Sequence, residues 1–231
     1  MSRILITLTS HATLGDTGRA TGFHWEELAT PYWAFRDAGH AVEIASIAGG
    51  RAVHDPGSAQ TEAPSVARFL ADATAMAALA ETMPITAADP ARYTAIYLPG
   101  GHGTMWDLPG NAALAGLLGA VFDRGGVVAA VCHGPAGLVS AVRADGQPIV
   151  AGRRVNSFTD AEEAAIKLTD AMPFPLETRL RELGAVFEGG ANFKPYAVRD
   201  GNLVTGQNPA SAAEVARLVL EALAEAPALA A

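Results

Sequence analysis

Short apolar runs of strand length alternate with longer stretches of helical composition through the first 131 residues, and this alternation restricts the fold more than any other feature. "RILITLT" (3–9) reads as a buried strand, "EELATPYWAFRDAG" (26–39) as a helix closed by Gly39, and "AVEIASI" (41–47) as the next strand. "SVARFLADATAMAALAETM" (65–83) has helical composition, with Ser65 as its cap after Pro64. "YTAIYLPGG" (93–101) is a strand that stops in glycine. "NAALAGLLGAVFDRG" (111–125) is a helix with Asn111 as cap and Gly125 as stop, and "GVVAAV" (126–131) is a strand again. This rhythm predicts an α/β fold: a three-layer α/β/α sandwich, flavodoxin-like, around a mostly parallel sheet with helices on both faces.

The later chain is less regular. A short strand is expected over 153–158, an Ala/Glu-rich helix after Thr159, and another helix near 176–183. "YAVRDGNLVTG" (196–206) reads as a hairpin with Asp200-Gly201 as its two-residue turn. A final helix runs from about Pro209 to Ala224, and "EAPALAA" is expected to fray. With no internal repeat and no linker-like stretch, a single domain over 1–231 is the expectation. Half of the 231 residues are hydrophobic, enough for one full core.

Charge and cysteine content narrow the partners. The net charge of −8, without a lysine or arginine cluster, argues against nucleic acid and anionic membranes. No apolar run approaches the ~18 residues of a membrane span, and "MSRILITLTSHATLGDTG" lacks a signal-peptide pattern. One cysteine forms no internal disulfide, which suits a reducing compartment, so the cytoplasm is the expected location.

That cysteine lies in "GGVVAAVCHGPAGLV" (125–139), where the strand ends on Cys132 and His133, Gly134 and Pro135 follow at once. A free cysteine is more often a small buried hydrophobe than a nucleophile. Ligand sites in open parallel sheets, however, lie beyond the carboxyl ends of the strands, and Cys132 stands at such an end. "LPGGHG" (98–103) belongs on the same rim. A sharp strand-to-helix turn projects a nucleophile over the sheet edge, a nucleophile elbow. The N–H groups starting the following helix would favour thiolate and supply oxyanion donors. These features favour a nucleophile at Cys132.

All six histidines lie at or before position 133, which excludes mechanisms needing a histidine downstream of the cysteine. His133 is adjacent to Cys132 and would assist if an acid oriented its ring; otherwise it contributes only its backbone N–H. His102, in "GGHG", reads as a structural or pocket-wall residue, and His40 as a turn residue after Gly39. The histidines are scattered without ligand spacing, so no metal site is expected. "GFHWEELATPYW" (22–33) puts Glu26 and Glu27 at a helix start on the same rim. Acids are ordinary there, yet one buried beside a thiol would have a raised pKa and shuttle protons. Pattern alone does not choose between the two. Asp160, Glu162 and Glu163 in "SFTDAEEAA" (157–165) read first as a solvated helix start, with one of them a possible partner for His133.

Five segments taken in order, "TGFHWEELATPYWAFRDAGHAVEIAS" (21–46), "IYLPGGHGTMWDLP" (96–109), "AAVCHGPAGL" (129–138), "VNSFTDAEE" (155–163) and "LVTGQNPASA" (203–212), carry a family resemblance over nearly the whole chain. The chain resembles the ThiJ/PfpI superfamily of class I glutamine-amidotransferase-like proteins, and more closely its glyoxalase III and heat-shock-chaperone branch. The resemblance implies Cys132 as nucleophile and selects Glu27, four residues before the proline of "ATP", as the glutamate beside the thiol. It implies His133 as the histidine after the nucleophile and Glu163, five residues after the phenylalanine of "NSF", as its acid. Backbone N–H groups of Gly101 and His133 become oxyanion donors, with Gly100, His102 and Trp25 around the pocket. Trp25 has a second reading as core, and Trp106 poses the same question. The implied activity is a cofactor-free lyase converting methylglyoxal to D-lactate, with a small aldehyde as substrate and a homodimer as assembly.

No motif for a metal, nicotinamide or glutathione accompanies these residues, and the G-x-G at 101–103 lacks the further glycine and lysine of a phosphate loop. The short stretch between 48 and 92 has no room for the inserted domain of the chaperone members. Three rivals stand beside the glyoxalase: an amidase, peptidase or deglycase using the same thiol, a redox sensor or stress-protective holdase, and a metabolite-binding domain with a decayed site.

Overall fold

The structure, a computed structural model, describes residues 1–225. In chain order the strands are β1 (Arg3–Leu8), β2 (Ala41–Ser46), β3 (Met83–Pro84), β4 (Ala95–Leu98), β5 (Val127–Val131), β6 (Arg154–Val155), β7 (Val186–Phe187), β8 (Ala197–Asp200) and β9 (Leu203–Gly206). The α-helices are α1 (Trp25–Asp37), α2 (Pro64–Ala71), α3 (Ala73–Ala80), α4 (Thr104–Asp107), α5 (Ala112–Asp123), α6 (Asp160–Ala165), α7 (Leu176–Glu182) and α8 (Ala212–Glu225). Seven strands form one sheet in the order β3-β2-β1-β4-β5-β9-β8, and only β8 runs antiparallel to its neighbour. β6 and β7 make a separate parallel pair.

The sheet is buried on both faces, as its continuous apolar strands require. Along β5, Val127, Ala129 and Val131 join the core under α1, α2, α3 and α8, while Val128 and Ala130 join the core under α5 and α7. That two-residue alternation produces the three-layer α/β/α sandwich expected from the sequence. The chain winds outward from β1 through β2 to β3, then returns to lay β4 and β5 on the other side. The switch therefore falls between β1 and β4, where open sheets of this kind hold their ligands.

Four details differ from the sequence reading. The helix expected over 65–83 is two helices: Asp72 adopts an extended conformation, and its side chain accepts the Ala75 N–H to cap α3. A short acidic side chain that bonds its own downstream backbone competes with helix continuation. The cap of α2 is Ala63 with Pro64 in the first turn, and the Ser65 hydroxyl instead meets Thr30 Oγ1 at 2.7 Å. The strand expected over 153–158 keeps only two residues, because beyond Val155 the chain bonds the ends of other strands: Asn156 N–H donates to Thr205 Oγ1 and Phe158 N–H to the Cys132 carbonyl. The hairpin turn is Gly201-Asn202, since Asp200 still pairs with Leu203 and Gly201 supplies the left-handed φ of +62°. Of the tail expected to fray, 226–231 lie outside the described residues. Among the described residues no helix is long and apolar enough to cross a membrane.

Candidate active site

β5 delivers Cys132 to the rim with a φ of +59°, a left-handed conformation costing a non-glycine residue about 1–2 kcal/mol. Two bonds hold it there: its N–H donates to the Gly206 carbonyl at 2.8 Å, and its carbonyl accepts the Phe158 N–H at 2.7 Å. The element that follows is a 3-10 helix, Gly134–Ser140, where the sequence suggested an ordinary helix start. The turn brings the adjacent side chains together: Cys132 Sγ lies 3.3 Å from His133 Nδ1.

The other ring nitrogen of His133 is 2.7 Å from Glu163 Oε2, and Glu163 Oε1 is 3.2 Å from His102 Nε2. Glu163 reaches this position because Thr159 and Glu162 close a capping box at the start of α6. Glu162 is no solvated acid either: buried, it accepts from Asn208 and the Phe193 N–H as well. Burial opposes ionisation of Glu163, but hydrogen bonds from His102 and His133 outweigh it and bring its pKa down to about 2. His133 is lowered to about 4, by burial first and His102 second, against the pull of Glu163. At neutral pH the ring is therefore uncharged. A carboxylate only accepts hydrogen bonds, so the single ring proton sits on Nε2 and donates to Glu163. Nδ1 is left bare and faces the sulfur.

Glu27, not Glu26, is the buried glutamate, fully enclosed in the first turn of α1. Its Oε2 accepts the Gly100 N–H at 2.6 Å, its Oε1 has no hydrogen-bond partner, and the Cys132 thiol stands beside the carboxyl. Burial raises its pKa to about 8 despite the Gly100 N–H, so it is an uncharged acid at neutral pH. Pro31, inside α1, has no N–H to give the Glu27 carbonyl four residues back. The hydroxyl of Tyr97 on β4 donates to that carbonyl at 2.9 Å instead, tying the first turn of α1 to the sheet.

The glycine pair after β4 lets these groups converge. A Cβ on Gly100 would lie 2.6 Å from the His133 nitrogen and 2.9 Å from Glu27 Oε2, and Gly101 holds a φ of +97°. The backbone N–H groups of Gly101 and His133 lie beside the Cys132 sulfur and favour its charged form. They do not win: burial, then the Glu27 carboxyl, push the thiol well above its ordinary value. The N–H donors that the sequence suggested are present, but burial outweighs them and Cys132 rests as a thiol.

These groups open into a cleft of about 330 Å³, lined by Gly101, His102, Cys132 and His133 and by the apolar Phe158, Leu168 and Phe193. His102 is the wall residue that the sequence suggested, with the added bond to Glu163. Trp25 is not a pocket residue: it is buried against Phe23, Phe69 and His54, on the core side of the helix start. Trp106 stacks on His11 and borders a separate depression beside Asp16 and Lys167. The sequence reading missed His24, Arg19, Phe158 and Phe193, all of which line the cleft. Only His24 carried a signal, its place in "GFHWEE" on the rim beside Glu27. Despite their sequence separation, His102, His133 and Glu163 bring potential metal-ligating atoms within 4.8 Å of one another. The same atoms form the hydrogen bonds above, so a metal there would compete with the carboxylate that orients His133.

Comparison with known proteins gives a consistent result. A profile described as the DJ-1/PfpI family matches residues 19–222. "Glyoxalase 3" of Candida albicans is 30% identical over 233 residues, covering 96% of this chain and 98% of that one. A "glutathione-independent glyoxalase" of Saccharomyces cerevisiae is also 30% identical, over 236 residues, covering 96% and 98%. The crystal structure of the Rapid Encystment Protein of Francisella tularensis superposes with a TM-score of 0.94 at 34% identity, covering 96% of this chain and 99% of that one.

Proposed function

The chain belongs to the DJ-1/PfpI family, and we propose that it is a glutathione-independent glyoxalase converting methylglyoxal or a related 2-oxoaldehyde to D-lactate or the matching 2-hydroxy acid. One observation carries this reading: a thiol and a neutral imidazole 3.3 Å apart, beside a buried carboxyl that keeps its proton near neutral pH. An isomerisation needs such a pair, one group that takes a proton and one that gives it.

Cys132 attacks the aldehyde carbon while His133 Nδ1 accepts the thiol proton. The oxygen on that carbon takes up negative charge facing the N–H groups of Gly101 and His133. His133 returns the proton to this oxygen, giving a hemithioacetal. His133 then removes the hydrogen from the former aldehyde carbon as Glu27 protonates the oxygen on the second carbon, which forms an enediol. Glu163, a carboxylate throughout, stabilises the imidazolium. The imidazolium protonates the second carbon, and Glu27 recovers a proton from the first oxygen. A 2-hydroxyacyl thioester remains. Water, deprotonated by His133, cleaves it and releases the thiol and the acid.

The sensor reading has less support, because oxidation follows thiolate character and exposure, and Cys132 is buried with a raised pKa. The resemblance that implies the activity also implies a homodimer, which sedimentation tests; the single cysteine suggests the cytoplasm, which cell fractionation tests. The activity itself is tested by incubating the protein with methylglyoxal, free of glutathione, and measuring D-lactate enantioselectively beside Cys132→Ala and Glu27→Gln. D-lactate from the wild type alone is expected. None from a folded wild type with a reduced thiol would overturn the assignment.

A further inference from the structure

The proton route above leaves the part-buried His24 of the cleft unused. Nδ1 of His24 and Oε1 of Glu27 are both buried, both lack a hydrogen-bond partner, and face each other across 3.8 Å. An unpaired buried polar atom costs about 1–3 kcal/mol, so two together ask for a physical reason. The rest of His24 serves the fold: its N–H donates to the Gly100 carbonyl at 3.1 Å, and the residue caps α1 without using its side chain. The ring is free to serve the cleft it lines.

We infer that His24 Nδ1 and Glu27 Oε1 form a two-point site for the second oxygen of a 2-oxoaldehyde as it becomes a hydroxyl, which makes His24 a further catalytic residue. The inference rests on the glyoxalase reading and specifies how that site selects its substrate. An oxygen about 2.8 Å from each atom spans a gap of this size. The aldehyde oxygen belongs to the N–H groups of Gly101 and His133, and the oxygen on the neighbouring carbon falls to this pair. That oxygen enters as a carbonyl, which only accepts, and leaves as a hydroxyl, which also donates. Glu27 supplies the proton as the enediol forms, and the new O–H then donates to bare Nδ1 of His24. No proton is left over, because Glu27 is recharged from the first oxygen. Besides Glu27, the titratable groups that face the ring are Asp55, His102 and His133. Burial dominates over all of them and lowers His24 to about 4, which keeps the ring uncharged at neutral pH; with its single proton on Nε2, which is not among the buried unpartnered atoms, Nδ1 is an acceptor. A simple monoaldehyde has no oxygen for the pair, so the site selects vicinal dicarbonyls.

Two rates measured on His24→Phe, which keeps a ring without nitrogens, test the inference. They are kcat for methylglyoxal and the rate at which iodoacetamide alkylates Cys132. Loss of one transition-state hydrogen bond predicts kcat down by about 100-fold, with alkylation unchanged within about twofold because the thiol keeps its neighbours. A kcat within about threefold of wild type, or a parallel fall in both rates, would overturn it. Should His24→Phe fail to fold, the same two rates on His24→Ala decide by the same limits. Failure of the glyoxalase reading is separate: the wild type itself would then form no hydroxy acid.

Discussion

Replacing Glu27 with glutamine should destroy activity and stabilise the protein, and the gain should grow with pH in a prescribed way. The carboxyl has an ordinary pKa of 4.5 and is raised to about 8 by burial in the fold. Below pH 4.5 it is protonated in both folded and unfolded chains and contributes nothing to the pH dependence. As pH rises above 4.5 the unfolded chain ionises while the folded chain keeps its proton, so the wild type loses stability. The loss accumulates at 1.36 kcal/mol per pH unit and levels off once pH passes the folded value. It amounts to about 1 kcal/mol at pH 5, about 3 at pH 7 and about 5 above pH 8. Glutamine has the same shape, accepts the Gly100 N–H through its carbonyl, and never ionises.

Urea unfolding of both proteins at pH 5, 7 and 8.5 measures the difference directly. At pH 7 it corresponds to a Tm shift of about 6–12 °C for a chain of this length. A constant gap between the two proteins, or a less stable variant at every pH, would refute the claim that the fold holds Glu27 as a neutral acid. Turnover is measured on the same samples, where loss of the proton donor should cost about 100-fold or more.

The catalytic protonation states predict a bell in kcat/KM: activity rises as His133 loses its proton near pH 4 and falls as Glu27 loses its own near pH 8, read from initial rates across that range. Glu163→Gln should lower kcat by 100-fold or more with little change in KM, since its amide leaves one of the two histidine N–H groups without an acceptor and favours the wrong His133 tautomer. Tyr97→Phe should cost about 1–3 kcal/mol in urea unfolding, because the Glu27 carbonyl then has neither Pro31 nor Tyr97 to bond it. Zinc should inhibit by binding His102, His133 and Glu163, and His102→Gln should weaken that inhibition in a titration of initial rates.

Much of the fold was legible because its signals are local. Apolar runs marked five of the sheet's six parallel strands, β1, β2, β4, β5 and β9, and caps such as Asn111, which accepts the Leu114 N–H, marked helix starts within a residue. The misses were places where a side chain chose a partner that spacing does not reveal. Asp72 capped a new helix instead of continuing one. Asn156 and Phe158 left their strand to bond β9 and the Cys132 carbonyl, and that departure carries the chain toward Glu163.

The site residues were legible in a different sense from their chemistry. Cys132 with His133, Glu27 and Glu163 come from three separate segments, and the rim of a parallel sheet is reason enough for them to meet. Their charges depend on what encloses them, which strand spacing does not encode. Glu27 and Glu163 are the same residue type, each in the first turn of a helix. One meets a single backbone N–H and a thiol and is pushed up to about 8; the other meets two imidazoles and falls to about 2. Helix-start position treats them alike, since the dipole favours charge on both, yet the reaction needs them different. That difference is set by the glycines at 100 and 101. They let the chain after β4 pass close enough for the Gly100 N–H to meet Glu27 and for His102 to reach Glu163. Gly100→Ala therefore makes a sharper test than removing any catalytic side chain: it deletes no functional atom, but its Cβ cannot coexist with the His133 nitrogen and the Glu27 carboxyl where they stand. Activity should fall by at least 100-fold, and the alkaline limb of the pH profile should move toward the ordinary carboxyl range as water reaches Glu27. An alanine variant with an unshifted limb would mean that the glycine pair does not set the acid's pKa.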